Sequence, residues 1–339
     1  MSQNLRVAVI GAGRMGLDHI ARLHGRISGA EVAAVVDIDR SRAAAAVAGI
    51  PGAVALEDVH EALESPETDA VLIATPGFLH EDALHAALAR DLPILCEKPL
   101  TPDAESAWRV VQAEEKLGRQ RIQVGFMRRY DAEYGQLAAL IRQGELGELL
   151  MLHHQHRNPA TPPGFTNEML INDSVVHEFD AVRFFTGEEI VSVQVRAGRP
   201  TRTAPAGMQD PQQVLLETES GVLADVEIFG NAQFGYEVAA QAVFEQGVLR
   251  IGNDAGPYLS ARGRWGGAVA PGFVERFAPA YDRELQAWVD AARRGGIGGP
   301  SAWDGYAVAA CCEAGVEAQR TGRRVDVMLN SKPPLYTQG

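Results

Sequence analysis

Short apolar runs alternate with helix-length amphipathic stretches over residues 5 to 125. The apolar runs are LRVAVIG, EVAAVVD, AVLIAT, PILCE and RIQVGF, and stretches such as FLHEDALHAALAR and DAESAWRVVQAEEKLG separate them. Strands that are apolar along their whole length, joined by helix-sized connections, are typical of a parallel sheet covered on both faces. The pattern therefore predicts a doubly wound α/β domain over residues 1–124.

After residue 125 the spacing of the apolar runs changes. EIVSVQVRAG, QQVLLETES, GVLADVEIFG and GYEVAAQAVFEQGVLRI follow one another with only turns between them, and apolar residues alternate in GVLADVEIF. Alternation with a period of two indicates strands with one covered face. We therefore expect residues 125–339 to form an α+β domain with a large, open, mostly antiparallel sheet. Helices are expected at 131–143, 174–186, about 274–294 and 303–320.

Composition and charge exclude several classes of protein. The chain of 339 residues is 46% hydrophobic and 22% charged, and no apolar segment reaches the length of about 18 residues that a membrane span needs. The N-terminal sequence lacks the features of a signal peptide, so we expect a cytoplasmic protein. A net charge of -13 argues against a nucleic-acid partner. Cys96, Cys311 and Cys312 form no metal or disulfide pattern and are expected to be reduced and buried.

The segment VAVIGAGRMG has the glycine spacing of a dinucleotide-binding loop. Gly11, Gly13 and Gly16 follow an apolar strand and precede a helical pattern, and Asp37 ends the second strand 21 residues beyond Gly16. Glycines let a pyrophosphate approach the helix N-terminus, and an acid at this distance can bind the adenosine ribose. This context predicts a Rossmann domain that prefers NAD to NADP, a preference that Arg14 moderates. The alternative is a tight turn followed by a solvated strand end.

Other candidate cofactor residues follow the later strands of the same sheet. Thr75, Pro76 and His80 come after the fourth strand, where a doubly wound sheet opens its ligand crevice. His80 could equally be a surface residue at a helix start. The full set of predicted cofactor-binding residues is Gly11, Gly13, Arg14, Met15, Gly16, Asp37, Thr75, Pro76, His80 and Glu97.

Lys98 directly follows the next strand, in the segment CEKPLT. A lysine held at this edge of the sheet can bind a substrate oxygen and stabilise negative charge as a hydroxyl group loses its proton. The Lys98–Pro99 bond can be cis or trans on sequence grounds. Taken alone, Lys98 could also be a solvent-exposed residue in a turn.

The segment INDSVVHEFDAVRFFTG supplies a second group of candidates. On a helical wheel Asp173, His177, Asp180 and Phe184 form one stripe, opposite an apolar stripe. Asp173 and His177 are four residues apart, so the carboxylate can orient the imidazole, which suits a proton acceptor. The alternative is that Asp173 caps the helix and His177 is an exposed polar residue.

Four further residues have polar side chains suited to binding a hydroxylated substrate: Arg128, His156, Asn158 and Tyr236. Each could instead be ordinary surface or strand polarity. His154 and His156 share one strand face, but no third ligand is spaced with them, so a metal site is not expected.

The motifs GAGRMG, CEKPLT, VGFMRRYD, HRNP, INDSVVHE, FGYEV and GPSAWDGY resemble the glucose-fructose oxidoreductase and inositol dehydrogenase family nearly end to end. The later motifs are most similar to bacterial inositol 2-dehydrogenases. The resemblance implies Lys98, Asp173 and His177 as the catalytic set and NAD as cofactor. It also implies a C-terminal domain that binds substrate and builds homotetramers through its open sheet face.

The reaction that this resemblance implies is oxidation of myo-inositol at the 2-hydroxyl group to the 2-keto product. Oxidation of another cyclitol, such as scyllo- or chiro-inositol, or of a pyranose sugar is the alternative, and a non-catalytic NAD-binding sensor is a third. Phe234 and Gly230 depart from the residues expected in relatives. These two residues are expected to change the shape of the substrate pocket or of the sheet face, and so to bear on the substrate more than on the chemistry.

Overall fold

The computed structural model describes residues 4–252, 259–262 and 264–337. These residues form two compact units. The first contains the chain up to Phe126, Tyr281–Ala309 and the chain from Asn330 onwards, and the second contains Met127–Ala280 and Ala310–Leu329. The division near residue 125 lies close to the boundary that the sequence indicates, but two later segments belong to the first unit.

The first unit is built on a six-stranded parallel sheet. Its elements are β1 (Leu5–Ile10), α1 (Arg14–Gly25), β2 (Ala30–Val36), α2 (Arg40–Val47), β3 (Val54–Leu56), α3 (Val59–Glu64), β4 (Ala70–Ile73), α4 (His80–Ala89), β5 (Ile94–Glu97), α5 (Ala104–Leu117) and β6 (Ile122–Gly125). The strand order is β3-β2-β1-β4-β5-β6, and every pair is parallel. The order reverses between β1 and β4, which places a ligand crevice at their carboxyl ends. The predicted doubly wound domain is confirmed.

Local sequence explains where several of these helices begin and end. Asp39 and Asp103 cap α2 and α5, because their carboxylates accept hydrogen bonds from backbone N–H groups of the first turn. Gly118 ends α5 in the left-handed conformation. The short strand β3 was not predicted, since its three apolar residues are too few to stand out as a strand pattern and are at most partly buried.

The second unit contains a seven-stranded sheet. Its elements up to residue 266 are α6 (Ala132–Gln143), β7 (Leu149–Arg157), a π-helical turn (Leu170–Val175), α7 (Val176–Thr186), β8 (Ile190–Ala197), β9 (Gln212–Thr218), β10 (Leu223–Phe229), β11 (Glu237–Phe244), β12 (Val248–Ile251), β13 (Leu259–Ala261) and β14 (Arg264–Gly266). They are followed by α8 (Phe273–Arg293), α9 (Ala302–Thr321) and β15 (Val325–Asp326). The helices α8 and α9 each belong partly to the first unit and partly to the second. The order is β12-β11-β7-β10-β9-β8-β15, and only β7 and β10 pair in parallel within this sheet. The predicted mostly antiparallel sheet is confirmed.

The two faces of this sheet differ as the alternating pattern predicts. On β10, Ala224, Val226 and Ile228 are buried, whereas Leu223 is exposed. Leu223 lies opposite Met151 of β7, and both side chains stand on the uncovered face.

The later helices explain why the compact units differ from a simple two-way division. Leu285, Trp288 and Val289 of α8 are buried in the same core cluster as strand residues of the first unit, such as Val7 and Val9. Apolar side chains of one helix thus complete a core that the N-terminal pattern alone leaves unfinished.

Cys96, Cys311 and Cys312 are buried and form no disulfide, as expected. Within the described ranges, no helix combines the length and the apolar character that a membrane crossing requires.

Candidate functional site

The glycine loop between β1 and α1 is packed so that two of its glycines cannot be replaced. Gly11 has a φ of 102°, and a Cβ there would lie 2.8 Å from the carbonyl carbon of Ala74. A Cβ on Gly16 would overlap the carbonyl oxygen of Gly11. Gly13, which immediately precedes α1, has nothing within 4 Å of the Cβ position. The loop therefore keeps open space beside the helix N-terminus, where a dinucleotide pyrophosphate binds. Arg14 and Met15 form the first turn of α1.

Asp37 lies directly after β2 and is tied to this loop. Its Oδ2 accepts a hydrogen bond of 2.9 Å from the backbone N–H of Ala12, and its Oδ1 accepts one of 2.6 Å from Arg42. Burial by itself would raise the pKa of Asp37, but the bonds from Arg42, Asp39 and Ala12 outweigh it and hold the pKa below its usual value. The side chain is buried, so the interpretation of Asp37 as a solvated strand end is wrong.

His80 is completely buried at the start of α4. Its Nε2 lies 2.7 Å from the carbonyl oxygen of Thr75, and its Nδ1 lies 2.9 Å from that of Pro99. Burial lowers the pKa of His80, so a neutral ring donates to one of these two carbonyls at a time. The alternative of a surface residue is wrong, and the imidazole links the segments that follow β4 and β5.

Thr75 and Pro76 lie at the carboxyl end of β4, as predicted. The hydroxyl oxygen of Thr75 is enclosed and has no hydrogen-bond partner among the described residues. A buried hydroxyl without a partner is costly, and a ligand group in the crevice would satisfy it. Pro76 is exposed at the same edge.

Lys98 follows β5 and is half-buried, so it is not the fully solvated turn lysine of the alternative interpretation. Its bond to Pro99 is cis. The neighbouring Glu97 is buried, and its Oε2 accepts a hydrogen bond of 3.2 Å from the backbone N–H of Lys98. The other oxygen of Glu97, Oε1, lies 2.7 Å from Nε2 of His19, a residue that the sequence analysis did not single out.

In the second unit, Asp173 and His177 lie on one continuous helical segment. Asp173 is exposed within the π-helical turn, and His177 is half-buried in the first turn of α7. The interpretation of Asp173 as a helix cap is wrong, because the helix continues on both sides of it. π-helical turns widen a helix and are frequent at functional sites. The contact between the Asp173 carboxylate and the His177 ring remains a prediction.

Asp180 and Phe184, which share the predicted stripe with His177, both interact with Arg129. Asp180 is buried and accepts a hydrogen bond of 2.6 Å from Nη2 of Arg129. The Arg129 guanidinium lies 5.4 Å from the centre of the Phe184 ring. These two residues anchor α7 at the end of the stripe that is distant from Asp173.

Three of the predicted substrate-binding residues gather around Glu178. Arg128 forms a buried ion pair with Glu178, and Nδ1 of His156 lies 3.0 Å from the second oxygen of the same carboxylate. The ring of Tyr236 packs edge-on against His156 at 6.1 Å. Arg128, His156 and Tyr236 are all buried, so the interpretation of these residues as ordinary surface is wrong.

Glu178 was missed by the sequence analysis, although the sequence contains a signal for it. It occupies the helical stripe of Ile171, Val175, Val182 and Phe185, and all five residues are buried. A glutamate in an apolar stripe requires a cationic partner. Burial would raise the pKa of Glu178, but the charges of Arg128 and His156 outweigh it and lower the pKa.

Asn158 and His154 have different surroundings. Asn158 is half-buried just after β7, and its backbone bonds with Phe229 and Ala232 hold it beside the end of β10. His154 is buried and stacks on Phe185, and burial lowers its pKa to about 4. Among the described residues, no group of three His, Cys, Asp or Glu side chains could hold a metal ion.

The two departures from the family pattern have distinct surroundings. A Cβ on Gly230 would lie 2.9 Å from Cδ2 of Leu170 in the π-helical turn, so a larger residue would displace that side chain. Phe234 is exposed, packs edge-on against Phe229, and lies under the guanidinium of Arg157.

Comparisons with known proteins agree with this arrangement. Residues 5–126 match the oxidoreductase family with an NAD-binding Rossmann fold, and residues 134–250 match the GFO/IDH/MocA C-terminal domain. The chain is 75% identical over 337 residues to an inositol 2-dehydrogenase of Arthrobacter sp. (strain FB24), which covers 99% of this chain and 100% of the relative.

Solved structures are similar over almost the whole chain. A myo-inositol dehydrogenase from Lactobacillus casei, crystallised with NAD(H) and myo-inositol, has 36% sequence identity and a TM-score of 0.96, covering 98% of this chain and 100% of that one. A scyllo-inositol dehydrogenase from the same organism, with bound NAD(H) and scyllo-inositol, has 25% identity and a TM-score of 0.88, covering 96% and 99%. With both of its domains matched and a relative of this identity, the chain belongs to the GFO/IDH/MocA family of NAD-binding oxidoreductases.

Proposed function

We propose that this protein oxidises the 2-hydroxyl group of myo-inositol to the 2-keto product, with NAD as the oxidant. The observation that carries the proposal is full-length similarity to an inositol 2-dehydrogenase at 75% identity. The similarity to a myo-inositol dehydrogenase at a TM-score of 0.96 supports the same substrate.

The residues of the first unit fit NAD. The space beside Gly13 admits the pyrophosphate at the N-terminus of α1, and the ionised Asp37 offers acceptor oxygens for the adenosine ribose diol. The enclosed hydroxyl of Thr75 is available to a polar group of the cofactor. When bound, NAD supplies the acceptor for the hydride that leaves the substrate carbon.

Three side chains carry the proposed chemistry. Lys98 binds the oxygen of the reacting hydroxyl group and stabilises the negative charge that develops on it. His177 accepts the hydroxyl proton, and Asp173 orients the imidazole and raises its basicity. The half-buried setting of Lys98 and His177 supports these roles, since partial exclusion of water strengthens such interactions.

The remaining predicted substrate residues divide into two roles. Arg128, His156 and Tyr236 surround Glu178, the residue next to His177, so we propose that they fix the position of that part of α7. Asn158 is half-buried at the end of β7 and is the better candidate for a direct bond to a substrate hydroxyl group.

A second candidate substrate is scyllo-inositol, which differs from myo-inositol in the orientation of one hydroxyl group. The similarity to a scyllo-inositol dehydrogenase at a TM-score of 0.88 favours it over a pyranose sugar. The lower identity of 25%, against 36% for the myo-inositol enzyme, places it second.

We further propose that the protein is a cytoplasmic homotetramer assembled through the uncovered face of the seven-stranded sheet. Met151, Leu215 and Leu223 are exposed on that face, and Leu223 lies directly opposite Met151. Exposed apolar side chains on neighbouring strands are typical of a protein interface.

The test is a substrate panel in which formation of NADH is followed by absorbance. We expect the highest kcat/KM with myo-inositol and lower values with scyllo-inositol, chiro-inositol and pyranose sugars. A higher value with scyllo-inositol would transfer the proposal to that substrate. NAD binding without NADH formation from any compound would favour the sensor interpretation, in which Lys98→Met would leave function intact.

A further inference from the structure

His19 lies on the buried face of α1, the helix that begins at the glycine loop. It is 1% exposed and shares that face with Ile20 and Leu23. Its Nε2 lies 2.7 Å from Oε1 of Glu97, the last residue of β5, which lies two strands from β1 in the sheet. A carboxylate only accepts hydrogen bonds, so Nε2 carries the proton. One bond therefore connects the proposed cofactor-binding helix to the segment that contains Lys98.

The second oxygen of the Glu97 carboxylate binds the backbone of Lys98. Its Oε2 accepts the hydrogen bond from the Lys98 N–H at 3.2 Å. The carboxylate also packs tightly against β6, because a Cβ on Gly125 would lie 3.1 Å from Oε2 of Glu97. The Glu97 carboxylate is buried, and its orientation depends on its two hydrogen-bond donors, Nε2 of His19 and the backbone N–H of Lys98.

The other side of Lys98 is held by a second buried histidine. Nδ1 of His80 lies within 2.9 Å of the carbonyl oxygen of Pro99, and Nε2 of the same ring contacts the carbonyl of Thr75 at the end of β4. The backbone around Lys98 is therefore held at two points, by Glu97 at the Lys98 N–H and by His80 at the Pro99 carbonyl.

We propose that His19 is a positioning residue for Lys98. Through Glu97, it fixes the backbone of the reactive lysine relative to the helix that carries the glycine loop. The inference rests on the proposed function only in that it takes Lys98 as a reactive group. His19 itself is enclosed and is not expected to contact cofactor or substrate.

Two nearly isosteric variants separate this role from simple packing. His19→Met removes the donor, whereas His19→Gln keeps an N–H group near the position of Nε2. We expect His19→Met to lower kcat by about tenfold or more, because small displacements of a catalytic group are costly. His19→Gln should recover most of that loss. The dissociation constant for NAD should change by no more than about twofold in both variants, since the glycine loop is unaltered.

A purely structural role predicts a different result. The two variants would then lose equal turnover, with parallel losses in thermal stability and in the number of NAD sites per chain measured by fluorescence titration. Equal kcat values for His19→Met and the wild-type protein would also overturn the proposal.

Amine labelling tests the same inference without turnover. The chain has three lysines, Lys98, Lys116 and Lys332, of which Lys116 and Lys332 are exposed and serve as internal references. After brief acetylation with acetic anhydride and peptide mass spectrometry, His19→Met should show at least about threefold faster labelling of Lys98 relative to the references, because its backbone is released. His19→Gln should resemble the wild-type protein.

The labelling result also separates the two proposals. If no cyclitol is oxidised but Lys98 labelling responds to His19→Met, the proposed function fails and the positioning role stands. If myo-inositol is oxidised and Lys98 labelling is the same in all three proteins, the positioning role fails alone.

Discussion

His177 and Glu178 are neighbours in the sequence but have opposite surroundings. Successive residues of a helix point in directions about 100° apart, so one side chain can face the core while the next does not. Glu178 is fully buried and paired with Arg128, whereas His177 is half-buried. The same turn of α7 therefore carries an internal anchor and the half-buried side chain that we propose as the proton acceptor.

Removing the imidazole tests the proposed proton acceptor. We expect His177→Ala to lower kcat with myo-inositol by about 10²- to 10⁴-fold, the usual contribution of general acid–base catalysis. The dissociation constant for NAD should stay within about twofold, because Gly13 and Asp37 are unaltered. Stopped-flow or steady-state NADH absorbance gives the rate, and fluorescence titration gives the affinity.

The control for this variant is His60→Ala, which removes an exposed histidine from the first turn of α3. It should retain full turnover. If His177→Ala lost NAD affinity and turnover to the same extent, His177 would have a structural role.

Sequence reasoning reached individual residues where local spacing carries the signal, and it failed where partners are distant in the chain. The spacing of Gly11, Gly13, Gly16 and Asp37 describes one loop and one strand end, and the structure places them together. His19 and Glu97 are 78 positions apart, and no local sequence pattern indicates a hydrogen bond between them. His80 showed the same limit, because a residue at a helix start can be exposed or enclosed.

At the scale of elements, the glycine loop and α1 offer a matched pair of substitutions. Gly13 immediately precedes α1 and Gly25 is its last residue, and nothing lies within 4 Å of the Cβ position at either residue. Gly13→Ala should destabilise the protein slightly, because Gly13 is the N-cap of α1 and alanine is a poorer N-cap than glycine. It should also weaken NAD binding by at least about tenfold, because the methyl group occupies the space for the pyrophosphate.

Gly25→Ala provides the comparison. It should leave NAD affinity unchanged and should stabilise the protein slightly, since alanine is the better helix former by about 0.5–1 kcal/mol. Calorimetry and NAD titration of both variants decide the point. Unchanged NAD affinity in Gly13→Ala would remove the loop from the cofactor site.

The ion pair of Arg128 and Glu178 connects α7 to the segment that follows β6. Arg128→Met leaves the Glu178 carboxylate buried without its main partner, and we expect a loss of about 3–5 kcal/mol in the free energy of unfolding. The double variant Arg128→Met/Glu178→Met should be less destabilised than Arg128→Met alone. Denaturant titrations followed by circular dichroism measure both. Equal losses in the two variants would contradict a buried charge as the cause.

The same pair predicts an acid dependence of stability. The pKa of Glu178 is about 2 in the folded protein, below the value of about 4.3 in an unfolded chain. The pair therefore contributes fully above about pH 4.3, and the contribution falls as the pH approaches 2. The double variant should lose less stability than the wild-type protein across this range.

Periodicity predicted the sheets because it reflects backbone geometry. It could not predict the π-helical turn, since apolar positions in Leu170–Val175 fit an α-helical period equally well. Periodicity also could not predict that the end of α8 packs into the core of the first unit. An amphipathic pattern shows that a helix has a buried face, but it does not show which element covers that face. Both limits arise because tertiary packing joins residues that are far apart in the sequence, and a local sequence pattern carries no information about such contacts.

For the whole molecule, the uncovered sheet face is the feature that bears on assembly. Beside the apolar residues, it carries charges that are already paired within the chain, such as Arg157 with Glu227 and Glu237. Paired charges cost less to bury than single ones, so the face can be covered by another copy of the chain. A net charge of -13 opposes non-specific association, which favours a defined interface over aggregation.

Leu223→Asp tests this assembly directly. Leu223 is 49% exposed and lies opposite Met151 on one side and Glu217 on the other, so the substitution places a charge in the apolar patch. The neighbouring cation, Arg324, is already paired with Glu217. We expect the wild-type protein to sediment as four chains, and the variant to sediment as smaller species at the same concentration. Val54→Asp is the matched control, because Val54 is 51% exposed on the edge strand β3 of the other sheet. It should remain tetrameric.

A Leu223→Asp protein that stays tetrameric would place the interface elsewhere, whereas a monomeric wild-type protein would exclude the tetramer itself. Since neither substitution touches Lys98, Asp173 or His177, turnover measured on the separated species would also show whether one chain is sufficient for catalysis.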